Sequence, residues 1–115
     1  MWNDLLRRGI LEPETCNELV AALGETIWAE MFEAFHGEVR AFVDAAPQAS
    51  TLRLERLAHS LTGAAASIGA TGIAKSCAAL EAGCAESDPA LVSLLAAALS
   101  ACERFDDAVR TLQRV

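Results

Sequence analysis

The sequence predicts an all-helical domain, and three observations lead to this prediction. Alanine and leucine, which favour helices, account for 24 and 15 of the 115 residues. Aromatic residues, which favour strands, are scarce, with four Phe, two Trp and no Tyr. Between the prolines and glycines, apolar residues recur every three or four positions, which is the period of a helix with one buried face.

The first two predicted helices cover residues 13–23 and 25–45. Pro13 suits a first helical turn because its missing N–H would have no partner there. Two residues of the second helix, Phe32 and Phe35, have two open interpretations, as core residues or as an apolar ledge on which a partner docks. The positions expected to face the core are Cys16, Leu19, Val20 and Leu23 in the first helix and Trp28, Met31, Phe32, Phe35, Val39 and Phe42 in the second.

Three more helices are predicted over residues 51–68, 70–84 and 87–112. Asp88 and Pro89 are typical of a helix cap followed by proline in the first turn, so we expect the last helix to begin there. The positions expected to face the core are Leu54, Leu57, Ala58, Leu61, Ala64, Ala65 and Ile68, then Ile73, Cys77, Leu80 and Cys84, then Leu91, Leu95, Ala98, Cys102, Phe105, Val109 and Leu112.

These helices predict one domain over residues 1–115. We expect an antiparallel, up-and-down four-helix bundle over residues 25–115, with residues 1–24 forming an arm and a short additional helix across one end. Because the bundle closes its own core, we expect a monomer. The arm holds apolar residues that either pack on the bundle or contact a second copy of the chain, namely Trp2, Leu5, Leu6, Ile10 and Leu11.

Charge and hydropathy argue against several classes of function. A net charge of -7 and a pI near 4.7 disfavour nucleic-acid binding, which needs a basic surface. No run reaches the roughly 20 apolar residues of a membrane helix, and the first residues lack the order of a signal peptide, so we expect a cytoplasmic protein. The cysteines have no metal or redox spacing and fall on the apolar stripes, which predicts free, buried thiols at Cys16, Cys77, Cys84 and Cys102.

One histidine falls on the polar face of its helix. At 100° per residue, His59 lies about 200° from Leu61, the centre of the buried stripe. Gly63 and Ala66 lie within about 40° of His59, and Arg56 lies within about 60°. Glycine in a helix interior destabilises the helix by up to about 1 kcal/mol relative to alanine, so Gly63 calls for a local reason. One such reason would be room for the backbone of another protein to approach the ring of His59.

The charges point to the same surface. Residues 1–50 hold nine acids against three bases, and residues 77–115 hold six acids against three bases. Residues 51–76 hold one acid, Glu55, against three bases, which is a local balance of +2. We expect this basic patch to attract an anionic partner or a phosphoryl group.

The residues around His59 resemble the signature of histidine-containing phosphotransfer (HPt) domains, H-x-L-K-G-x-[SA]-x-x-x-G-[AS]. Residues 59–70 read His-Ser-Leu-Thr-Gly-Ala-Ala-Ala-Ser-Ile-Gly-Ala. The signature usually continues to C-x-x-L-E, and residues 77–81 read Cys-Ala-Ala-Leu-Glu. The resemblance covers residues 57–81 at the level of motif and the whole chain at the level of architecture.

The resemblance implies that His59 accepts a phosphoryl group and that the protein relays it between receiver-domain aspartates. The implied partners are receiver domains of a hybrid histidine kinase and of response regulators, and the receiver would supply Mg²⁺, since the chain needs no cofactor of its own. Without a G-x-x-x-x-G-K-[ST] loop for ATP, the chain is expected to be a phosphocarrier and not an enzyme. The residues expected to shape and charge the docking face are Arg53, Arg56, Ser60, Thr62, Gly63 and Ala66.

One position departs from the family pattern, and it leaves an alternative open. Thr62 stands where the family usually has lysine, so the charge of the phosphoryl group must be offset elsewhere, and Arg56 is the candidate. In the alternative, the chain is a pseudo-HPt adaptor that binds a receiver or a histidine kinase without accepting phosphate. A third class, the di-iron bundle, requires a second E-x-x-H beside that of Glu33 and His36, so we expect no metal site.

Overall fold

The computed structural model describes residues 2–113, with side chains described from Asp4 onward. This part of the chain is all-helical and contains no strand, which confirms the predicted fold class. The up-and-down order of the long helices stays a prediction. The elements are α1 (Trp2–Arg7), α2 (Pro13–Leu23), α3 (Glu25–Ala45), a 3₁₀ turn (Ala46–Gln48), α4 (Thr51–Ile68), α5 (Thr71–Glu86) and α6 (Leu91–Gln113).

The predicted helix bounds are confirmed for α2, α3 and α4, whereas the start of α6 was predicted wrongly. The helix begins at Leu91 and not after Asp88. The Asp88 carboxylate accepts a hydrogen bond from the N–H of Ala90, two residues ahead, at 2.7 Å. Such a bond closes a turn around Pro89, so the side chain that was expected to cap the helix shapes the turn before it.

The end of α4 is fixed by a left-handed glycine. Gly69 has φ of +87°, a conformation that costs a residue with a Cβ about 1–2 kcal/mol. Its carbonyl accepts a hydrogen bond from the N–H of Glu12 at 2.7 Å, which ties the start of α2 to the end of α4. At the other end of α4, the Ser50 hydroxyl caps the helix by accepting from the N–H of Arg53 at 3.3 Å.

The predicted apolar stripes form the core with one exception. Phe32 and Phe35 are 0% and 3% exposed, and the ring of Phe35 meets Phe105 of α6 edge-on at 5.2 Å between centroids. Both are therefore core residues, which resolves the two interpretations. Leu23 was expected to be buried but is 43% exposed, because it is the last residue of α2 and Gly24 turns the chain there. All four cysteines are free and buried, as predicted.

The arm packs on the rest of the chain. Leu5 and Leu11 are buried in the core, and Leu6 and Ile10 pack against it from its edge. Residues 2–7 also form a helix, α1, that the sequence did not predict. The side chain of Trp2 lies outside the described part of the structure.

Helix packing places α4 beside α5 and α3. The pair α4 and α5 makes the most extensive contact, α6 packs against α5 and α3, and α4 and α6 hardly touch. Gly83 lets α6 approach α5, since a Cβ there would lie 2.5 Å from Cδ1 of Leu94. Within residues 2–113, no helix is both long and apolar enough to cross a membrane.

Candidate functional site

His59 lies in the middle of α4 and points to solvent. Its side chain is 76% exposed, as the sequence predicted from its position opposite Leu61. Three of the other predicted site residues are exposed on this surface: Arg56, Gly63 and Ala66. Ser60 is also exposed but lies toward α3, beside Arg53. An imidazole in this position can be reached by a reactive group on another molecule.

The imidazole is held by a carboxylate from the next helix. Nδ1 of His59 lies 2.6 Å from Oε2 of Glu81, and the Glu81 side chain is 31% exposed. A carboxylate can only accept, so the proton of this hydrogen bond belongs to Nδ1. In the neutral ring, Nε2 then carries the free lone pair and is the nucleophilic nitrogen.

Sequence reasoning quoted Glu81 as the last residue of the C-x-x-L-E motif but gave it no role. The charge count along the chain also left Glu81 out of the surroundings of His59, since Glu81 lies outside residues 51–76. With Glu81 on His59 and Glu55 one turn earlier on α4, the surroundings of the ring are mixed and not simply basic. The spacing of Glu81 from Cys77 could have indicated its position. Glu81 follows the buried Cys77 by four residues, so the two side chains lie on the same side of α5, close to the face that packs on α4.

Thr62 is half-buried, and its hydroxyl is already used. Oγ1 of Thr62 donates to the carbonyl oxygen of Ala58 at 2.7 Å, one turn back in the same helix. A hydroxyl in this bond offers no hydrogen to a phosphoryl group on His59. Thr62 therefore supplies neither the charge of the usual lysine nor, in this rotamer, a hydrogen-bond donor.

The two arginines of the predicted patch differ in their surroundings. Arg56 is exposed and forms no ion pair with any residue in the described range 2–113, so its guanidinium is available to an incoming anion. Arg53 lies toward α3, where it lines a groove of ≈ 330 Å³ together with Glu38, Leu57 and Ser60. Of the two, Arg56 is the one that lies one turn before His59 on the exposed face of α4.

Gly63 has open space where a side chain would be. A Cβ built on Gly63 meets no atom within 4 Å, so packing inside the chain does not require glycine at this position. Gly69 is the opposite case, with Cβ of Thr15 at 3.2 Å and the carbonyl oxygen of Glu12 at 3.3 Å from the position of a Cβ. Packing inside the chain therefore accounts for the glycine at position 69 and not for the one at position 63.

The second histidine belongs to a separate, buried cluster. His36 is 7% exposed, and its Nε2–H donates to Oδ1 of Asp106 on α6 at 2.6 Å. Oδ2 of Asp106 also lies 3.0 Å from Nε of Arg110. Burial acts to raise the pKa of Asp106, but hydrogen bonds and attraction from His36 and Arg110 outweigh it and hold that pKa below its ordinary value. No group of three or more metal-binding side chains occurs among the described residues.

Comparison with known proteins matches one family. The family model of the Hpt domain matches residues 13–105, which run from α2 into α6 and include both His59 and Glu81. No curated protein and no solved structure gives a significant match to the chain.

Proposed function

The chain belongs to the Hpt domain family, and we propose that it carries a phosphoryl group on His59 between the aspartates of receiver domains. Hpt domains are phosphotransfer modules of two-component signalling that interact with receiver domains, and they are phosphocarriers rather than catalysts. The observation that carries the proposal is the exposed imidazole whose Nδ1 is tied to Glu81, because this leaves Nε2 free toward solvent.

In the proposed transfer, the lone pair of Nε2 attacks the phosphorus of a receiver's aspartyl phosphate in line. The P–Nε2 bond forms while the P–O bond to the aspartate breaks, and the aspartate leaves as a carboxylate. The imidazole keeps its Nδ1–H and becomes a cation, so no proton has to be transferred. Glu81 accepts that N–H and offsets the new positive charge. Transfer to a second receiver reverses these steps, with each receiver supplying its own Mg²⁺.

Arg56 is proposed to offset the charge of the phosphoryl group in place of the missing lysine. It is exposed, without an ion pair in the described structure, and one turn before His59 on α4. Gly63 and Ala66 are proposed to let a receiver approach the ring closely, since they add little bulk to this surface. Thr62 would shape the surface without charging it.

A second candidate function is a docking adaptor that binds a receiver or a histidine kinase without accepting phosphate. Two observations on Thr62 favour it: the position lacks the usual positive charge, and its hydroxyl is donated to the carbonyl oxygen of Ala58. The accessible Nε2 of His59 argues against the adaptor, since a chain that only binds has no need of a free nucleophile.

The two functions differ in whether label reaches His59. Receiver domains of the source organism, charged with acetyl phosphate, would be incubated with the native chain and with His59→Gln. The modified residue would then be located by mass spectrometry under non-acidic conditions. We expect label on His59 of the native chain and none on the variant. Binding of a receiver without label on either protein would instead establish the adaptor.

A further inference from the structure

Leu52 is a large apolar side chain that the core does not use. It lies in the first turn of α4 and is 59% exposed, whereas Leu54, two residues further, is 4% exposed. Other apolar residues of α4 lie in the core, and the buried ones are Leu54, Ala58, Leu61, Ala65 and Ile68. Burial of this leucine against another molecule would contribute favourable hydrophobic free energy to binding.

Leu52 stands on the same side of α4 as His59. Seven residues correspond to nearly two turns of a helix, so the two side chains are offset by about 20° around the axis and by about 10 Å along it. Arg56 lies between them, and Gly63 continues the line beyond His59. We call Leu52, Arg56, His59 and Gly63 the His59 stripe; all four are exposed.

We propose that Leu52 is the apolar anchor of the receiver domain that docks over His59. The inference rests on the proposed function, since phosphoryl transfer requires the receiver's aspartate to reach Nε2 and therefore places the receiver on the His59 stripe. A specific interface covers about 800 Å² on each partner, which corresponds to a disc of about 16 Å radius. Leu52, about 10 Å from His59, lies inside such a footprint.

The positions of Leu52, Arg56 and His59 also predict which surface features a matching receiver has. A receiver that fits has an apolar patch about 10 Å from its phosphorylated aspartate, and an acidic or polar group between them to face Arg56. A side chain at an interface contributes most to binding where the partner removes it fully from water. Leu52 would therefore select between receivers that accept phosphate equally well but differ in this patch.

The test compares Leu52→Ala with a matched control, Val92→Ala. Val92 is 81% exposed but lies on α6, which hardly touches α4. Both substitutions replace an exposed side chain in the first turn of a helix with alanine, a strong helix former, so we expect unchanged thermal unfolding midpoints. Each variant and the native chain would receive phosphate from two donors, phosphoramidate, which needs no docking surface, and the receiver that labels the native chain fastest.

We expect Leu52→Ala to lower the transfer rate from the receiver by about tenfold while labelling by phosphoramidate is unchanged. Val92→Ala should behave as the native chain with both donors. Equal receiver rates for Leu52→Ala and the native chain would overturn the inference, as would an equal loss in Val92→Ala. So would a Leu52→Ala variant that changes self-association in sedimentation while transfer stays intact. Transfer from a receiver to the native chain at a rate that Leu52→Ala does not change removes the docking inference alone, whereas a native chain that no receiver labels overturns the proposed function.

Discussion

Nδ1 of His59 lies 2.6 Å from Oε2 of Glu81, although the two residues stand 22 positions apart on different helices. The carboxylate decides which ring nitrogen carries the proton, and thereby which nitrogen is nucleophilic. In the proposed transfer it also decides the chemical product, since phosphorylation at the free nitrogen would give Nε2-phosphohistidine and not the Nδ1 isomer. The α4 and α5 contact is thus part of the proposed chemistry as well as of the core.

Glu81→Ala is expected to slow phosphorylation of His59 by about tenfold, by analogy with the loss that follows when the hydrogen-bond partner of a metal-binding histidine is removed. Without the carboxylate, the ring exchanges between tautomers and the cation formed on transfer loses its counter-charge. Glu81→Gln keeps an acceptor oxygen and should lose less. The rates would be measured with phosphoramidate, and the tautomer by ¹⁵N chemical shifts. Native rates in a Glu81→Ala variant whose tautomers are mixed would remove Glu81 from the mechanism.

Arg56→Ala is expected to lower the rate of transfer by up to about fivefold, since an exposed charge contributes at most about 1 kcal/mol. Arg56→Lys should retain most of the native rate because the charge remains. The difference between native chain and Arg56→Ala should shrink as salt is added. Initial rates at low and high ionic strength check this, with Arg53→Ala as the control on the same helix. An unchanged rate and phosphohistidine lifetime in Arg56→Ala would rule out its proposed role.

Gly63→Ala is expected to stabilise the fold and impair docking at the same time. The added Cβ meets nothing within 4 Å, and alanine in a helix interior is favoured over glycine by up to about 1 kcal/mol. The same methyl group stands on the surface of the proposed interface. Urea unfolding would measure the gain in the free energy of unfolding, and transfer from a receiver would measure the loss. A more stable variant with native transfer would show that no partner needs this space.

Gly69→Ala is expected to destabilise the fold by about 1–3 kcal/mol, because the residue has φ of +87° and its Cβ would crowd Thr15 and Glu12. Thermal unfolding should move down by several degrees. Gly72→Ala is the matched control, since Gly72 lies in the first turn of α5 and a Cβ there meets nothing within 4 Å. Equal midpoints for the two variants would contradict the assignment of a structural role to Gly69.

The contact between His36 and Asp106 should affect how the free energy of unfolding depends on pH in acid. The pKa of Asp106 lies below its ordinary value of 3.8, so the folded state binds the proton less readily than the unfolded chain. This contribution to stability is complete above the ordinary pKa and is lost as the pH falls through the lower, folded value. Below about pH 4, the native chain should lose unfolding free energy more steeply than Asp106→Asn does.

Asp107→Asn provides the comparison for this measurement, because Asp107 is the exposed neighbour of Asp106 on α6. Its stability in acid should follow the native chain. Parallel pH profiles for native chain and Asp106→Asn would show that the contact with His36 and Arg110 does not contribute to acid stability.

The helices and their buried faces follow from the sequence because they depend on neighbours three and four positions away. The period of apolar residues located α2, α3 and α4 to the residue, and the same count placed His59 on the solvent face. The exceptions lie at helix ends, where periodicity no longer applies. Leu23 is exposed at the end of α2, and Asp88 shapes a turn before α6. The family likewise follows from the sequence, since its motif is a local pattern.

The partners across helices came from the tertiary structure. Glu33 and His36 match a metal motif in spacing, yet His36 meets Asp106, 70 positions away. Glu81 reaches His59 only because α5 packs closely along α4. A hydrogen bond of this kind depends on the distance and rotation between two helices, and no periodicity within one segment encodes either. The sequence by itself determined which side of α4 is open to a partner, and the packing of α5 decided which nitrogen of His59 faces it.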